Sequence, residues 1–343
     1  MVRINDPRDT LINPELQLVT EIVNYVILGG SLSVFGMISN IINMVVFYKQ
    51  GLQTTTNISL FALSLADLLT LVTLFEYSIW MNPLVEFSDT PVNTREVQYL
   101  ITGWPNVCFT RITCLIMAFI TAERYINIKY PHKAKQIITP KRTKGLIFII
   151  FVISIIMVMP SYSSIYYDWK FYPRSNVTKI GIHVINNGTV DKYSFLINAM
   201  LGLMALFLLI MFTSLIVWQL HLMVRRRSAR TSDPLKASSS REKKVVKMVL
   251  IIATIQIFCT VPSIAFSFVC LLVDGMTIIG FHQNTFFFIW SFNFVLGGLN
   301  SSVNIFLYYK MNSKYKNTLR EMFAGCSGLS QPHAQLRSDS IYS

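Results

Sequence analysis

The chain has 343 residues, of which 52% are hydrophobic and 14% are charged, and its mean hydropathy is +0.48. This composition is too apolar and too poor in charge for an ordinary soluble protein, so it predicts a polytopic membrane protein. The formal net charge of +13 would suit a nucleic-acid partner. The basic residues, however, lie in short blocks between apolar runs, which membrane topology explains better, so no nucleic-acid partner is expected.

Seven segments are long and apolar enough to cross about 30 Å of hydrocarbon as helices. They predict an all-α membrane protein in which a seven-transmembrane helix bundle occupies residues 22–309. The segments lie near residues 22–48, 57–80, 96–128, 143–165, 193–224, 243–273 and 283–309. Residues 1–21 are polar and contain acids, so we expect an extracellular N-terminus and no cleavable signal peptide.

The basic residues also predict the orientation of the bundle. Two alternate loops are rich in Lys and Arg, which marks them as cytoplasmic and places the N-terminus outside and the C-terminus inside. The loop between the fourth and fifth segments then lies outside, and it carries glycosylation sequons at Asn176 and Asn187. The predicted location is a multi-pass one in the plasma membrane.

The stretch after the seventh segment changes character. Residues 310–324 alternate basic side chains with aromatic and aliphatic ones, which predicts a short amphipathic eighth helix on the anionic lipid surface. Cys326 follows directly, where palmitoylation would add a second anchor, although an unmodified cysteine fits the position nearly as well. Residues 325–343 are predicted to be a disordered cytoplasmic tail.

Polar groups inside the segments are costly in lipid, so they are expected to face the bundle interior. Asp67 lies near the middle of the second segment, and the seventh supplies a polar stripe at Asn300, Ser301 and Asn304. This stripe would suit a hydrated pocket opposite Asp67, or it would serve only as hydrogen bonds between helices.

The third segment ends in Glu123-Arg124-Tyr125, an adjacent acid and base after a long apolar run. An Arg held by carboxylates in one state and released in another is a two-state element of the kind that signalling needs. The simpler interpretation is an interfacial anchor.

The motifs taken together resemble the rhodopsin-like (class A) G protein-coupled receptors over nearly the whole chain. Glu123-Arg124-Tyr125 resembles the Asp/Glu-Arg-Tyr motif of helix three, and Leu65-Ala66-Asp67 resembles the helix-two motif. Further matches are the helix-one asparagine at Asn40, the helix-six positions Cys259 and Pro262, and the outer letters of Asn-Pro-x-x-Tyr at Asn304 and Tyr308. A narrower resemblance is to invertebrate, molluscan-type neuropeptide and chemosensory receptors.

Several positions depart from the family pattern. Thr260 stands where helix six usually has Trp, and Ile305 replaces the helix-seven proline. The cysteine expected near the start of helix three is Tyr99, and residues 161–192 contain none, so the family disulfide is missing. We therefore expect the loop of residues 161–192 to be tethered less firmly than is usual.

The resemblance implies that an extracellular peptide or small chemosensory molecule is transduced to a heterotrimeric G protein, with no enzymatic activity. It implies a G-protein switch in which Glu242 and Glu123 compete for Arg124, together with Tyr125 and Tyr308. It also implies a helix-six pivot at Cys259, Thr260 and Pro262. A sodium pocket is implied at Asn40, Asp67, Thr113, Asn300, Ser301 and Asn304, where oxygen ligands around a carboxylate suit a hard cation. Asp67 held by amide hydrogen bonds alone is the other possibility.

Arg111 and Glu76 are two further intramembrane charges. Arg111 lies about 20 Å above Arg124, and Glu76 lies about 13 Å above Asp67, so their heights are comparable. One interpretation is a permanent Arg111–Glu76 ion pair. The other is that Arg111 lines the ligand cavity with Asn106 and Thr110 and binds an acidic ligand group such as a peptide C-terminus.

Two other classes were weighed. A transporter or channel would use Asp67, Glu76 and Arg111 as a solute path, but the sequence shows no internal duplication and no repeated pair of Gly/Pro-broken segments. An intramembrane metal hydrolase needs paired ligands at helical spacing, whereas the five histidines are scattered. No metal site is therefore expected, and apart from a sodium ion no cofactor is expected.

Overall fold

The computed structural model describes residues 12–86, 90–173, 176–185, 189–228, 236–278 and 280–326. Within these ranges, seven helices are long and apolar enough to cross a membrane, in agreement with the predicted bundle. We number the helices α1 to α8 in chain order. Helix α1 comprises Pro14–Glu21, a π-helical stretch Ile22–Gly29, and Gly30–Lys49; α2 is Thr55–Trp80; α3 comprises Thr94–Gln98, a π-helical stretch Tyr99–Gly103, and Trp104–Lys129.

The later helices follow the same plan. They are α4 (Pro140–Ser163), α5 (Thr189–Ser228), α6 (Lys236–Leu272), α7 (Gln283–Ser302 and Asn304–Met311) and α8 (Ser313–Cys326), with short helices at Pro83–Glu86 and Pro131–Ile137. Helix α8 occupies the stretch predicted to be amphipathic, displaced toward the C-terminus by two to three residues. Such shifts are ordinary at helix ends.

Local capping accounts for where several helices begin. Asn13 caps α1, with its side-chain oxygen accepting the Glu15 backbone N–H and Pro14 at the first helical position. Helix α1 therefore starts before residue 22, inside the stretch of residues 1–21 that was assigned to the N-terminus. Thr54 and Thr139 cap α2 and α4 in the same way.

The core lies between α2, α3 and α7, and α4 lies on the outside. Leu63, Leu71 and Ile116 are fully buried, whereas Phe148 and Ile156 of α4 are 69% and 55% exposed. In a bilayer such apolar side chains face lipid, so helix association there depends on close packing and on hydrogen bonds between buried polar groups.

Helix α7 is interrupted at Val303 although the family proline is absent. The Phe306 backbone N–H donates to the Val303 carbonyl, a bond three residues back that tightens the turn. The interruption separates Ser302 from Asn304. Ile305 in place of proline therefore does not restore a continuous helix.

The loop between α4 and α5 forms a β-hairpin that the sequence analysis did not predict. Strands β1 (Ile165–Tyr172) and β2 (Val177–Val184) pair antiparallel, with Asp168 opposite Gly181. We call the end of the bundle that carries this hairpin the hairpin end, and the opposite end, where α3 finishes, the Arg124 end. Buried and exposed side chains hardly alternate along β1, because most of its side chains are exposed. The sequence therefore lacks the usual two-residue period of a strand.

The hairpin is held by non-covalent contacts at the start of α3. The Glu96 carboxylate is 5% exposed, accepts the Ile182 backbone N–H at 2.9 Å, and pairs with Lys170 Nζ at 3.1 Å. The Tyr167 hydroxyl donates to the Val97 carbonyl at 2.8 Å. Burial raises the pKa of Tyr167 to about 12, so this hydroxyl remains a donor at neutral pH.

Backbone bonds complete this attachment. Asn93 N–H donates to the Ile180 carbonyl, and Ile180 N–H donates to the Pro91 carbonyl. The expectation of a loosely tethered loop is therefore not met: the family disulfide is missing, but Glu96 and its neighbours hold the hairpin to α3. The four described cysteines, Cys108, Cys114, Cys259 and Cys270, are free and buried.

We expect Glu96→Ala to lower the free energy of unfolding by about 1–3 kcal/mol, because it leaves a buried N–H without its acceptor and Lys170 without its counterion. Thermal unfolding of the purified protein, followed with a thiol-reactive dye that reports exposure of the buried cysteines, measures this. Asp274→Asn is the control, since the Lys192–Asp274 pair is exposed on both sides and contributes about 0–1 kcal/mol. Equal melting temperatures for the two variants would contradict the assigned role of Glu96.

Candidate functional site

At the Arg124 end, Glu123 and Arg124 are both bound by the first turns of α2. Glu123 is 1% exposed; its Oε1 accepts from Thr55 Oγ1 at 2.6 Å and its Oε2 from Ser59 Oγ at 3.3 Å. Arg124 Nη2 donates to Thr56 Oγ1 at 2.7 Å. Among the described residues no ion pair joins these two side chains, and each of them is bound separately by hydroxyls of α2.

Arg124 keeps unused donor capacity. Its Nε is buried without an acceptor among the described residues. The predicted competitor Glu242 lies in α6, but its side chain is outside the described part of the structure. The hydroxyl partners were missed by the sequence analysis, and the run Thr54-Thr55-Thr56 just before an apolar segment was the available signal.

Tyr125 turns toward α5. Its ring centroid is 6.4 Å from that of Phe212, and its hydroxyl accepts from Lys129 Nζ at 2.8 Å. The Glu-Arg-Tyr motif is therefore divided between two neighbouring helices. Glu123 and Arg124 contact α2, and Tyr125 contacts α5.

Tyr308 and Tyr315 connect α7 and α8 to α1. Tyr308 is fully buried with its ring edge-on to Phe47, and its hydroxyl has no partner among the described residues. Tyr315 donates to Asn43 Oδ1 at 2.6 Å, and Asn43 lies 3.4 Å from Asn40 Oδ1. The sequence analysis missed Asn43, whose position one turn after Asn40 on the same helix was the signal.

Asp67 is fully buried in the middle of the bundle and accepts three hydrogen bonds. Its Oδ1 accepts from Thr113 Oγ1 at 3.2 Å and from Ser301 Oγ at 3.0 Å. Its Oδ2 accepts from Asn304 Nδ2 at 2.8 Å. Helices α2, α3 and α7 therefore meet at one carboxylate.

The other two predicted members of this pocket bind elsewhere. Asn40 Nδ2 donates to the Ser301 carbonyl at 2.8 Å, and Asn300 Nδ2 donates to Gln256 Oε1 at 2.7 Å. Asn40 therefore binds the backbone of Ser301 and does not contact Asp67 through a hydrogen bond. Asn300 links α7 to α6, because it lies on a different face of α7 from Ser301.

Several oxygen atoms lie close together around Asp67. A carboxylate and two hydroxyl oxygens converge there, and Asn304 Oδ1 is a buried oxygen without a donor among the described residues. Hard cations prefer such oxygen ligands. No cationic side chain forms an ion pair with Asp67 in the described ranges, so the negative charge is otherwise balanced only by hydrogen bonds.

A cavity that is partly open to solvent lies between α2, α3, α5, α6 and α7. Asn106, Thr110 and Arg111 line it, and so do Cys259 and Thr260. Pro262 lies inside α6 but does not line the cavity. Asn106 is already engaged with α2 through the Thr70 carbonyl and Thr73 Oγ1, both at 3.0 Å.

Gln256 joins this cavity to α7. It lines the cavity wall, donates to Thr260 Oγ1 at 2.9 Å, and accepts from Asn300. The sequence analysis missed it, although a single Gln between Ile255 and Ile257 was a visible signal. Thr260, which stands in place of the family Trp, is thus part of a hydrogen-bonded chain rather than a bulky pivot.

The structure does not bring Arg111 and Glu76 together. Arg111 is 7% exposed and its guanidinium lies against Gly202 of α5, while Glu76 is half-buried on α2 and does not line the cavity. The helical rise per residue fixes only how far along its helix a residue lies, and not the direction in which its side chain points. Asn106 faces α2, and five residues later a helix has turned about 140° from that direction, so Arg111 faces elsewhere.

Of the two predicted glycosylation sites, the structure describes one. Asn176 is exposed in the hairpin turn, with a φ of 51° in the left-handed region that asparagine tolerates. Asn187 lies outside the described residues, as does the side chain of Cys326.

Comparison with known proteins agrees with this architecture. Residues 40–308 match the family model described as 7 transmembrane receptor (rhodopsin family). The chain is 25% identical to neuromedin-U receptor 2 of Mus musculus over 84% of this chain and 72% of that protein. It is 20% identical to galanin receptor 2b of Danio rerio over 91% and 76% of the two chains, and 31% identical to neurotensin receptor type 1 of Homo sapiens over 43% and 36%.

These comparisons give no support to the transporter or channel alternative. The matched family is one of receptors rather than of enzymes, and the seven candidate spans make the chain a multi-pass membrane protein. The family model covers well over half of the chain. The chain therefore belongs to the rhodopsin family of seven-transmembrane receptors.

Proposed function

We propose that the chain binds an extracellular peptide in the cavity below the hairpin and activates a heterotrimeric G protein at the Arg124 end. The observation that carries this proposal is that a single helix, α3, supplies Arg111 to the cavity and Arg124 to the opposite end, about 20 Å apart. The names of the relatives, which are peptide receptors, favour a peptide over a small chemosensory molecule.

The proposed orientation places the hairpin end outside the cell and the Arg124 end in the cytoplasm. The basic loops support this orientation, since short cytoplasmic loops carry an excess of Lys and Arg. An exposed Asn176 at the hairpin tip suits glycosylation on the outer side. Helix α8 would lie on the inner leaflet, with palmitoylation of Cys326 as a second anchor.

A continuous set of polar contacts supports a route between the two ends. Ligand contact with Thr260 or Gln256 alters the hydrogen bond from Asn300, on the same helix as Ser301 and Asn304, which bind Asp67. The interruption of α7 at Val303 lies within this stretch, so the two halves of the helix can move separately. A bundle with two such arrangements is what ligand and G protein would bias.

The receptor proposal is tested by measuring nucleotide exchange on purified heterotrimeric G protein with the chain in lipid nanodiscs. We expect the wild type to accelerate exchange and Arg124→Ala to abolish that acceleration, because the guanidinium is the group released to the partner. Exchange rates equal to those of empty nanodiscs, across the major G protein classes and with a panel of peptides, would overturn the function.

A sharper prediction concerns how Arg124 is held at rest. Thr56→Val removes its recorded hydrogen bond, and a loss of about 1 kcal/mol raises a minor active population roughly fivefold. Basal exchange should rise accordingly, and Glu242→Ala should raise it too if that carboxylate also competes for Arg124. Thr254→Val is the matched control, because that exposed hydroxyl binds only its own helix at the Leu250 carbonyl. A rise of the same size in the control would contradict the prediction.

Sodium should stabilise the inactive bundle through Asp67. Replacing potassium with sodium at constant ionic strength should raise the melting temperature of the wild type and lower basal exchange, because only the folded site gathers the oxygen ligands. Asp67→Asn should lose both effects. Thr70→Val is the control, since its hydroxyl binds the Ala66 carbonyl and not Asp67. A sodium effect that persists in Asp67→Asn would exclude this site.

A further inference from the structure

Arg111 is a buried cation without a recorded counterion. Its side chain is 7% exposed, its Nε has no acceptor, and no ion pair or hydrogen bond involves it among the described residues. A guanidinium at this depth is costly when unpaired. A buried donor that finds no acceptor in the chain needs one from outside it, either water or a bound ligand.

The cavity around Arg111 has an uneven charge distribution. Its described lining is mostly aromatic or neutral and polar, for example Trp104, Asn198 and Trp290, with Val107 and Ile278 as aliphatic members. Arg111 is the single charged side chain among the described residues that line it. No carboxylate lines the described wall, so the cavity presents one positive charge against aromatic surfaces. Such a site favours a ligand that combines an anionic group with an aromatic one.

Gly202 of α5 provides the space in which the guanidinium lies. A Cβ added to Gly202 would lie 1.9 Å from Arg111 Nη1 and 2.4 Å from Cζ, far inside contact distance. The absence of a side chain there lets the fork lie flat against α5. Gly202 therefore sets the position of Arg111 within the cavity.

From this geometry we infer that Arg111, positioned by Gly202, binds a carboxylate of the ligand. The inference rests on the proposed function in so far as the cavity is taken to hold the ligand. It adds the chemical class that the cavity selects, a carboxylate next to an aromatic ring, as either a peptide C-terminus or an acidic side chain. A guanidinium makes two parallel hydrogen bonds to a carboxylate and cannot make them to an amide, which has one acceptor oxygen.

The first test needs no known ligand, because it measures the free protein. Arg111→Met removes an uncompensated buried charge and keeps an extended apolar side chain, so the melting temperature of the purified protein should rise by several degrees. A fall would show that Arg111 is paired within the bundle, and would overturn the inference. Glu76→Gln is the control, and it should leave the melting temperature unchanged because Glu76 does not contact the cavity.

The second test uses a matched pair of probes, N-acetylphenylalanine and its C-terminal amide. We expect the acid to raise the melting temperature of the wild type more than the amide does at equal concentration. The two probes should act equally on Arg111→Met, and Arg111→Lys should keep part of the preference because it keeps the charge but not the fork. A third probe, N-acetyl-aspartyl-phenylalaninamide, carries its carboxylate on a side chain and none at its C-terminus. It therefore shows whether the site prefers a peptide C-terminus or an acidic side chain.

Gly202→Ala completes the design, with Gly297→Ala as its matched control. The added methyl at Gly202 displaces the guanidinium and should reduce the acid preference, whereas Gly297 lines the same cavity and a Cβ there meets nothing within 4 Å. Equal effects of acid and amide on the wild type, including no effect of either, would overturn the inference. So would an acid preference that survives Arg111→Met.

These outcomes are separable from those of the receptor proposal. Basal nucleotide exchange and its loss in Arg124→Ala do not involve Arg111, so exchange without an acid preference would retain the receptor and reject the carboxylate site. An acid preference without exchange on any G protein would retain the carboxylate site and reject the receptor proposal.

Discussion

The cost of a charge at hydrocarbon depth is the constraint on which the rest of this bundle depends. An intramembrane Asp or Arg costs several kcal/mol unless protein groups or water solvate it. The described charges meet that cost to different degrees. Asp67 accepts three hydrogen bonds and Glu123 accepts two. Arg124 donates one, and Arg111 makes none with the described residues. The better satisfied groups join helices, and the less satisfied ones keep unused hydrogen-bonding capacity.

The same constraint explains how polar contacts replace the missing covalent and conformational devices. Glu96 holds the hairpin where a disulfide would otherwise connect it to α3, by a partly buried ion pair and a backbone hydrogen bond. The interruption of α7 at Val303 persists without a proline, and the Asn304 amide just beyond it binds Asp67. In both places a buried polar group with a specific partner takes the structural role.

A departure from the family pattern also changes the contact between α6 and α7. Thr260 and Gln256 form a hydrogen-bonded chain with Asn300 where a large aromatic side chain would usually lie. Hydrogen bonds are directional and break over short distances, so this connection responds to small displacements of α6 relative to α7. The contact between α6 and α7 at this level therefore depends on polar geometry more than on side-chain bulk.

The sequence by itself determined the number of spans, the motifs at the ends of α3 and α7, and the amphipathic α8, because length, hydropathy and local residue order are properties of short segments. It also identified Asp67, Thr113, Ser301 and Asn304, which do meet. Only the tertiary structure decided that Arg111 faces Gly202 rather than Glu76, that Asn300 binds Gln256, and that Glu96 anchors a hairpin. These contacts depend on the rotation of each helix about its axis and on packing between segments far apart in the chain, and neither follows from the height of a residue along its own helix.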